Sequence, residues 1–494
     1  MDNQQSSYRQ IMKATSLFGG VQIISILVSI IQTKFVAVLL GPLGMGIASL
    51  LNSTIGFIAN LADCGLGTSA VKDVAAAYGT GNAKRVAMVV TVFRRWIWIT
   101  GTTGMLVTVL LSPWLSWLTF GNRNYTFAFI GVAVTLLLGQ ISSGQTVLLR
   151  GSRRIGDMAK AKVWGSLVGL FVTLPVYYLW GLHGIVPCII LMSVISLFFS
   201  WLFARKIQIK PICISRKRTF VEGKDMLRMG FLLTLSGLIT SATTYIFRIY
   251  LSRYGGVDQV GLYNAGFAMI STYVGLVFTA MSADYYPRLS AVANNNRACN
   301  ETVNQQAEVA ILILAPIILI FIVFVRWAII LFYSTKFIPI NEMILWAALG
   351  ILFKAASWPV VYIFLAKGVS KFFFFSELIA NIYILMLNLI GYRWGGLTGL
   401  GISYLCGYFI YLLQVYWLCR NKYGFRFENS FLRIFALQLI LTISGFATVK
   451  LLPECWNYFG GVLLIIISGC LSIRELNRRL DLRSMIISRI SKKS

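Results

Sequence analysis

One histidine, His183, and sixteen acidic residues are all that this chain offers to acid–base chemistry, against 44 lysines and arginines. The histidine lies in a tight Gly181-Leu182-His183-Gly184 turn, where a lone imidazole reads as a polar loop residue. The eight cysteines (Cys64, Cys188, Cys213, Cys299, Cys406, Cys419, Cys455, Cys470) form no C-x-x-C pair and mostly lie within or beside apolar stretches, which argues against a disulfide framework or a metal site. No GxxxxGK[ST], HExxH or GxSxG occurs, so the sequence carries neither an ATPase nor a recognised hydrolase signature. No catalytic residue, metal or cofactor is expected. Charged residues make up 12% of the chain, too few for a soluble globule of ordinary composition.

What is present is apolar length. The chain is 57% hydrophobic with mean hydropathy +0.76. A membrane span needs about 20 apolar residues, and Gly, Pro and charge clusters punctuate the sequence into fourteen such segments. They lie near 14–40, 43–62, 84–111, 125–148, 163–180, 184–203, 229–251, 260–284, 309–333, 342–365, 372–391, 396–418, 433–452 and 457–473. The first is too long for a signal-peptide core and lacks a small-residue cleavage site after it, so it is expected to remain as a helix. With the N-terminus placed in the cytoplasm, 33 of the 44 Lys and Arg fall on the cytoplasmic side. Four (Arg123, Arg253, Lys336, Arg393) lie outside and seven within segments. This asymmetry puts both termini in the cytoplasm of a multi-pass plasma-membrane protein. It also accounts for the basic excess without nucleic acid.

The sequence repeats. Lys34 followed by the Gly41-Pro42-Leu43-Gly44-Met45-Gly46 turn is echoed by Arg248 followed by Gly256-Val257-Asp258-Gln259-Val260-Gly261. Arg150-Gly151-Ser152-Arg153 answers Lys367-Gly368-Val369-Ser370-Lys371, and Gly181 to Gly184 answers Gly396 to Gly399, all at an offset of roughly 215. Six segments separate the echoes, so both units enter the membrane in the same direction. The expected fold is all-α and polytopic, with about 14 transmembrane helices. It comprises an N-terminal six-helix lobe (1–203), a basic cytoplasmic linker (204–228), a second six-helix lobe (229–419), and two further helices with a basic tail (420–494).

An ionised side chain costs about 2.5–3.5 kcal/mol at the centre of a span on insertion scales, so it usually faces a cavity or a partner. Lys34, Arg94, Arg95, Arg248, Arg326, Lys354 and Lys450 stand against Asp63, Asp284 and Glu377. Lys354 is the sharpest case, near the middle of the tenth segment and far from either end. Arg94 and Arg95 are about 100° apart on the third segment, so one can face a cavity while the other pairs or snorkels. Lys34 and Arg248 occupy matching places in the two halves. Arg326 and Lys450 lie near outer ends and read as snorkelling side chains. Asp63 and Asp284 end the second and eighth segments, where each either gates the cavity by pairing with a cation or marks a helix boundary. Glu377 lies one turn into the eleventh segment and can pair with Lys371 or Lys354. A cavity lined by cations attracts anions, and phosphate or diphosphate fits an ammonium or guanidinium well. Most aromatics read as interfacial belts and lipid-facing surface. Tyr245, Tyr250, Tyr263, Tyr273, Tyr285 and Tyr286 are the patches that could stack sugars or line a lipid groove.

The run Thr33-Lys34-Phe35-Val36-Ala37-Val38-Leu39-Leu40-Gly41-Pro42-Leu43-Gly44, the Arg248 to Gly261 stretch, Pro287-Arg288-Leu289-Ser290, and Lys354 through Lys367 to Glu377 resemble the Wzx-type polysaccharide flippases. These belong to the multidrug/oligosaccharidyl-lipid/polysaccharide exporter superfamily and include the O-antigen and lipid III flippases. The resemblance implies two lobes around a central cationic cavity in a bacterial inner-membrane protein. Such a transporter carries a polyprenyl-diphosphate-linked oligosaccharide from the cytoplasmic to the outer leaflet by alternating access. It assigns Lys34, Arg248 and Lys354 to the diphosphate; Arg94 and Arg95 are added to that site on their own charge. Asp63, Asp284 and Glu377 are the expected gating or ion-coupling groups. Membrane lipid, a polysaccharide polymerase and chain-length machinery are the further partners implied. A multidrug antiporter of the same superfamily, which should carry unpaired carboxylates in its cavity, and a peptidoglycan lipid II flippase are the alternatives. A membrane-embedded glycosyltransferase or polymerase is disfavoured by the short outer loops.

Overall fold

The computed structural model describes residues 2–209, 212 and 214–480, with side chains from Ile24 onward. The basic tail beyond residue 480, Cys213 and the side chain of Tyr273 lie outside what is described. The helices are α1 (Asp2–Asp63), α2 (Leu66–Gly79), α3 (Ala83–Phe120), α4 (Thr126–Gly151), α5 (Ile155–Trp180), α6 (Ile185–Ala204) and α7 (Arg216–Gly255). They continue as α8 (Val257–Ala291), α9 (Asn296–Val323), α10 (Val325–Phe332), α11 (Asn341–Ala366), α12 (Ser370–Tyr423), α13 (Asn429–Leu451) and α14 (Glu454–Leu480). Among the described residues nine helical stretches are long and apolar enough to cross a membrane, and the fold is all-α and polytopic. Helices are the natural solution, because hydrocarbon offers no water to satisfy the backbone and each helix satisfies its own.

Three of those stretches are far longer than one crossing requires: Ile24–Asp63 (40 residues), Ile155–Ala204 (50) and Lys371–Tyr423 (53). Each contains a glycine that interrupts the helix with positive φ. Gly41 has φ 66°, ψ −168°, and Gly256, 215 residues later between α7 and α8, has φ 90°, ψ 166°. Gly181 (φ 51°, ψ −127°) and Gly396 (φ 56°, ψ −136°) form a second pair at the same offset. A side chain with a Cβ is strained in these regions, which is why glycine stands there.

The match extends to hydrogen bonds. After α4 the amides of Ser152, Arg153 and Arg154 bond to the carbonyls of Leu148, Arg150 and Leu149. After α11 those of Lys367, Gly368 and Val369 bond to Ile363, Leu365 and Phe364, each pair displaced by 215 residues. The left-handed position of this helix-ending turn is held by Arg153 (φ 58°) in one copy and by Gly368 (φ 70°) in the other. α4 and α11 begin and end 215 residues apart as well, so the register of the repeat is fixed residue by residue across this region.

The chain forms two compact units, Met1–Leu262 with Phe332–Lys336, and Tyr263–Leu331 with Phe337–Ser494. In the first, α2 packs on α3, α4 and α7 through Leu66, Ala70, Phe93, Ile97, Val147 and Met226. Gly46 meets the Val257 carbonyl and Gly261 meets the Pro42 carbonyl, so closely that a Cβ on either glycine would stand within about 2 Å of the facing oxygen. The contact is reciprocal at the repeat offset, and glycine at both places lets the two helix starts cross in backbone contact. In the second unit α9 and α11 are enclosed, with Tyr285, Val303, Phe364 and Cys419 at the core. α13 and α14 lie against α9 through small residues: Gly445 faces Leu319 and Gly461 faces Val323. Gln438, Ser468 and Ser472 join α13 to α14 by side-chain hydrogen bonds.

Several sequence expectations change. The stretch between the second and third segments, expected as loop, holds α2, whose buried Leu66, Ala70, Val74 and Ala77 recur at helical spacing. α7 starts at Arg216, so the second half of the expected 204–228 linker is helix. α8 runs on to Ala291, placing Asp284 within a helix rather than at its end. Lys450 does not simply snorkel; its ammonium lies 2.8 Å from Glu342 Oε2. Tyr245 and Tyr285 are core residues rather than sugar platforms. The Tyr245 hydroxyl sits between Thr54 and Thr119 at 3.1 and 3.0 Å, and Tyr285 donates to the Pro359 carbonyl at 2.7 Å.

Candidate functional site

The second unit sets Lys354 and Glu377 at the two ends of one stripe of tyrosines. Lys354 stands in the middle of α11, flanked by fully buried Leu352, Ala355 and Ala356, and is itself partly buried. Its ammonium lies 5.0 Å from the ring centre of Tyr408 and 6.0 Å from that of Phe278, with Tyr404 also beside it. Ring faces carry negative potential, so they hold a cation without neutralising it. Among the described residues no carboxylate pairs with Lys354. The charge is therefore partly desolvated, held in place, and available to an anion.

The tyrosines come from the second limb of α12. Folding at Gly396 turns α12 into a hairpin, secured where Ser403 donates to the Leu387 carbonyl at 2.7 Å and where Gln414 donates to the carbonyl and hydroxyl of Ser376 at 3.0 Å. Residues 404, 408 and 411 share one helix face at i, i+4 and i+7. Their rings form a continuous stripe, with centroid separations of 4.6 Å for Tyr404–Tyr408 and 6.2 Å for Tyr408–Tyr411. Tyr411 donates a short hydrogen bond to Glu377 on the first limb. The stripe of rings thus extends from the ammonium of Lys354 at one end to Tyr411 and its bond to the carboxylate of Glu377 at the other. Glu377 meets neither Lys371 nor Lys354 directly. Composition did not single out Tyr404, Tyr408 and Tyr411, although their spacing on an apolar helix was the available signal.

The remaining expected site residues are placed as follows. Lys34 and Arg248 are each partly buried and engaged with neighbours. Arg95 donates to the Ile214 carbonyl and the Thr219 hydroxyl, both at 2.7 Å, and Trp96 donates to the Thr219 carbonyl at 3.2 Å; these bonds anchor the start of α7 on α3. Arg94, one position away, instead lines a separate cavity of about 470 Å³ with Trp98, Gln145, Trp201 and Arg205. Asp63 accepts from the Gly67 amide at 3.3 Å, satisfying one of the open donors at the start of α2, so it acts at a helix boundary. Asp284 is exposed and has no partner among the described residues.

A second cavity in the first unit, of about 400 Å³, is lined by Gln32, Asn52, Gly139, Ser142, Ser193 and Ser196 among others. Adding the repeat offset to Gly139, Ile189, Ser193 and Ser196 gives Lys354, Tyr404, Tyr408 and Tyr411. Adding it to Asn52 gives Phe267, whose ring packs edge-on against Tyr404 at 6.2 Å. The same place in the repeat is therefore an uncharged hollow in one half and a lysine set in aromatic rings in the other.

Fold and site together define an all-α, polytopic membrane protein with a charged side chain set inside one of its apolar helices. Residues 35–342 match the family of polysaccharide biosynthesis proteins, and the chain belongs to that family. It is similar to the lipid III flippase of Escherichia coli (strain K12), at 24% identity over 411 residues that cover 81% of this chain and 95% of the relative. It is also similar to a putative O-antigen transporter of Shigella flexneri, at 24% identity over 310 residues covering 62% and 72% of the two chains. Among solved structures, the lipid II flippase MurJ in an inward closed conformation aligns with TM-score 0.70 and 12% identity, covering 95% of this chain and 99% of its own. An inward-facing multidrug resistance MATE family transporter of the MOP superfamily aligns with TM-score 0.69 and 16% identity, covering 81% and 94%. These likenesses show that the chain shares the fold of those two transporters.

Proposed function

We propose that this protein is a flippase carrying polyprenyl-diphosphate-linked oligosaccharide units from the cytoplasmic to the outer leaflet for cell-surface polysaccharide assembly. The observation that carries the reading is Lys354: a charge held inside an apolar helix by aromatic rings, with no carboxylate to neutralise it among the described residues. An anion bound there gains charge-assisted hydrogen bonds in a poorly solvated setting. A diphosphate is such an anion, and the named relatives act in lipid III and O-antigen transport. Lys34 and Arg248 are the further cations the family resemblance assigns to it. An organic-cation antiporter would need an unpaired carboxylate where Lys354 stands.

The proposed architecture has fourteen crossings, as two parallel six-helix repeats followed by α13 and α14. Counting each of the three folded stretches as two crossings and adding α7 and α8 supports that number. Alternating exposure of the cationic site would move the headgroup while the polyprenyl tail stays in lipid. The hydrogen-bonded Glu377 is the proposed ion-coupling group. A polymerase with its chain-length machinery would consume the product on the far side.

The test is the leaflet distribution of polyprenyl-diphosphate oligosaccharide in vesicles carrying wild type, Lys354→Ala or Lys354→Arg, at matched membrane insertion. Glycan exposed outside by the wild type, retained inside by the alanine variant and partly restored by arginine is the expected result. Export of organic cations with an unchanged lipid distribution would overturn the flippase reading.

A further inference from the structure

The cavity beside Arg94 shares no lining residue with the surroundings of Lys354. It is bounded by α3, α4, the end of α6 and the segment that follows, and Ile97, Ile141 and Leu148 line it together with the backbone of Gly144. Two guanidinium groups meet it, Arg94 from α3 and Arg205 from the turn after α6. Arg205 lies over the Trp201 ring at 5.2 Å. Its turn is tied down by the Arg205 amide bonding to the Trp201 carbonyl at 2.8 Å and by Ile207 and Ile209, which pack on the apolar cluster of Val74, Val86 and Leu148.

The adjacent Lys206 has a different fate. It lies 3.7 Å from Asp157, which is also within 3.9 Å of Arg154, so the carboxylate nearest this turn is already committed. Among the described residues neither Arg94 nor Arg205 has an acidic partner. Both are exposed, as are Trp98 and Trp201, at 54% and 46% of their surface. The positive-inside asymmetry puts the start of α3 and the end of α6 at the cytoplasmic face, so this opening lies at headgroup depth.

We infer that the cavity is a binding site for an anionic phospholipid of the cytoplasmic leaflet. Arg94 and Arg205 would bond the phosphate oxygens and the two exposed indoles would sit at the headgroup level. Basic pockets between spanning helices on the cytoplasmic side suit acidic headgroups, and tryptophan favours the interface. Guanidinium is the side chain best matched to a phosphate oxyanion, by two parallel donors. The shared chemistry is that of any phosphate, but the membrane-facing indoles favour a lipid over a free ion.

The test is titration of delipidated, detergent-purified protein with phosphatidylglycerol or phosphatidylcholine, read as lipid adducts by native mass spectrometry. Wild type should prefer phosphatidylglycerol by about fivefold or more. Arg94→Gln with Arg205→Gln should remove the preference, and the double lysine variant should keep most of it. Arg205→Gln alone, on an exposed turn, should weaken the preference if the double variant does not fold. An unchanged preference in the glutamine variants overturns the site. Displacement of the lipid by inorganic phosphate at equal concentration makes it a free-anion site and overturns the lipid assignment. Displacement by a short-chain polyprenyl diphosphate but not by phosphatidylcholine places Arg94 in the transport path, and also overturns it.

Discussion

Gly139 and Lys354 occupy one position of the repeat, and the difference between their surroundings shows how a duplicated scaffold acquires a site. The backbone around them matches: helices of equal length, the same left-handed turn after each, and the same glycine-bent hairpin beyond. The side chains do not. Where the first half has Asn52, Gly139, Ile189, Ser193 and Ser196 around a hollow of about 400 Å³, the second has Phe267, Lys354, Tyr404, Tyr408 and Tyr411. The cavity in the first half is the volume that the second half fills with aromatic rings and a charge. Function on this reading is a matter of side-chain substitution at fixed register, with the turns and close crossings held constant.

The strongest way to break that comparison is to exchange the charge. Lys354→Gly gives the second half the residue that the first half has, and export should fall at least about tenfold through loss of charge-assisted bonds to the anion. Adding Gly139→Lys restores the charge at the matching position of the first half, but without the tyrosine stripe that holds it. Export should stay low in the doubly substituted protein, measured by glycan accessibility at equal protein levels. Recovery to near wild type would mean that the two halves are interchangeable and that the aromatic surroundings of Lys354 contribute little.

A smaller effect is expected for Tyr408→Ser, which again imports the first-half residue. The ring of Tyr408 contacts those of Tyr404 and Tyr411 and underlies the ammonium of Lys354. Truncating a partly buried ring removes apolar contact and leaves a void, at about 2 kcal/mol, below the 3–5 kcal/mol typical of fully buried aromatics. Thermal unfolding in detergent should occur several degrees lower, with export reduced as well. An unchanged midpoint would show that the stripe does not support the site.

How much of this was legible beforehand follows the same division. The turns could be read, because a glycine required at positive φ marks its place: Gly41, Gly181, Gly256 and Gly396 stand where the backbone demands them. The mid-span position of Lys354 was legible because a charge there is costly whatever surrounds it. The tyrosine stripe was less visible, since in a chain that is 14% aromatic a ring at helical spacing usually packs or faces lipid. Asp63 and Arg95 were ambiguous in principle. A polar side chain near a helix end can cap, anchor or gate, and only its partner decides: the Gly67 amide for Asp63, the Ile214 carbonyl and Thr219 for Arg95. α2 escaped notice because it is too short to span and begins just after a capped break, although its buried face has the spacing of a helix.

The smallest expected effect lies on the other side of the comparison. Ser193→Tyr introduces into the first half the residue found at position 408, pointing into a cavity already large enough for a ring. Overpacking a filled core costs about 1–3 kcal/mol, but a preformed hollow at the matching backbone register should accept the ring with little strain. The neighbouring hydroxyls of Ser142, Ser196 and Ser200, linked at 3.1 Å, can also receive the phenol hydroxyl. The unfolding midpoint should therefore stay within a degree or two of wild type, or rise. A marked loss of stability would mean that the two halves differ in backbone as well as in side chains at this place. Unchanged stability with reduced export would give the hollow a role of its own, provided that Ser193→Ala, which removes the hydroxyl bonded to the Ile189 carbonyl but keeps the space, leaves export unchanged.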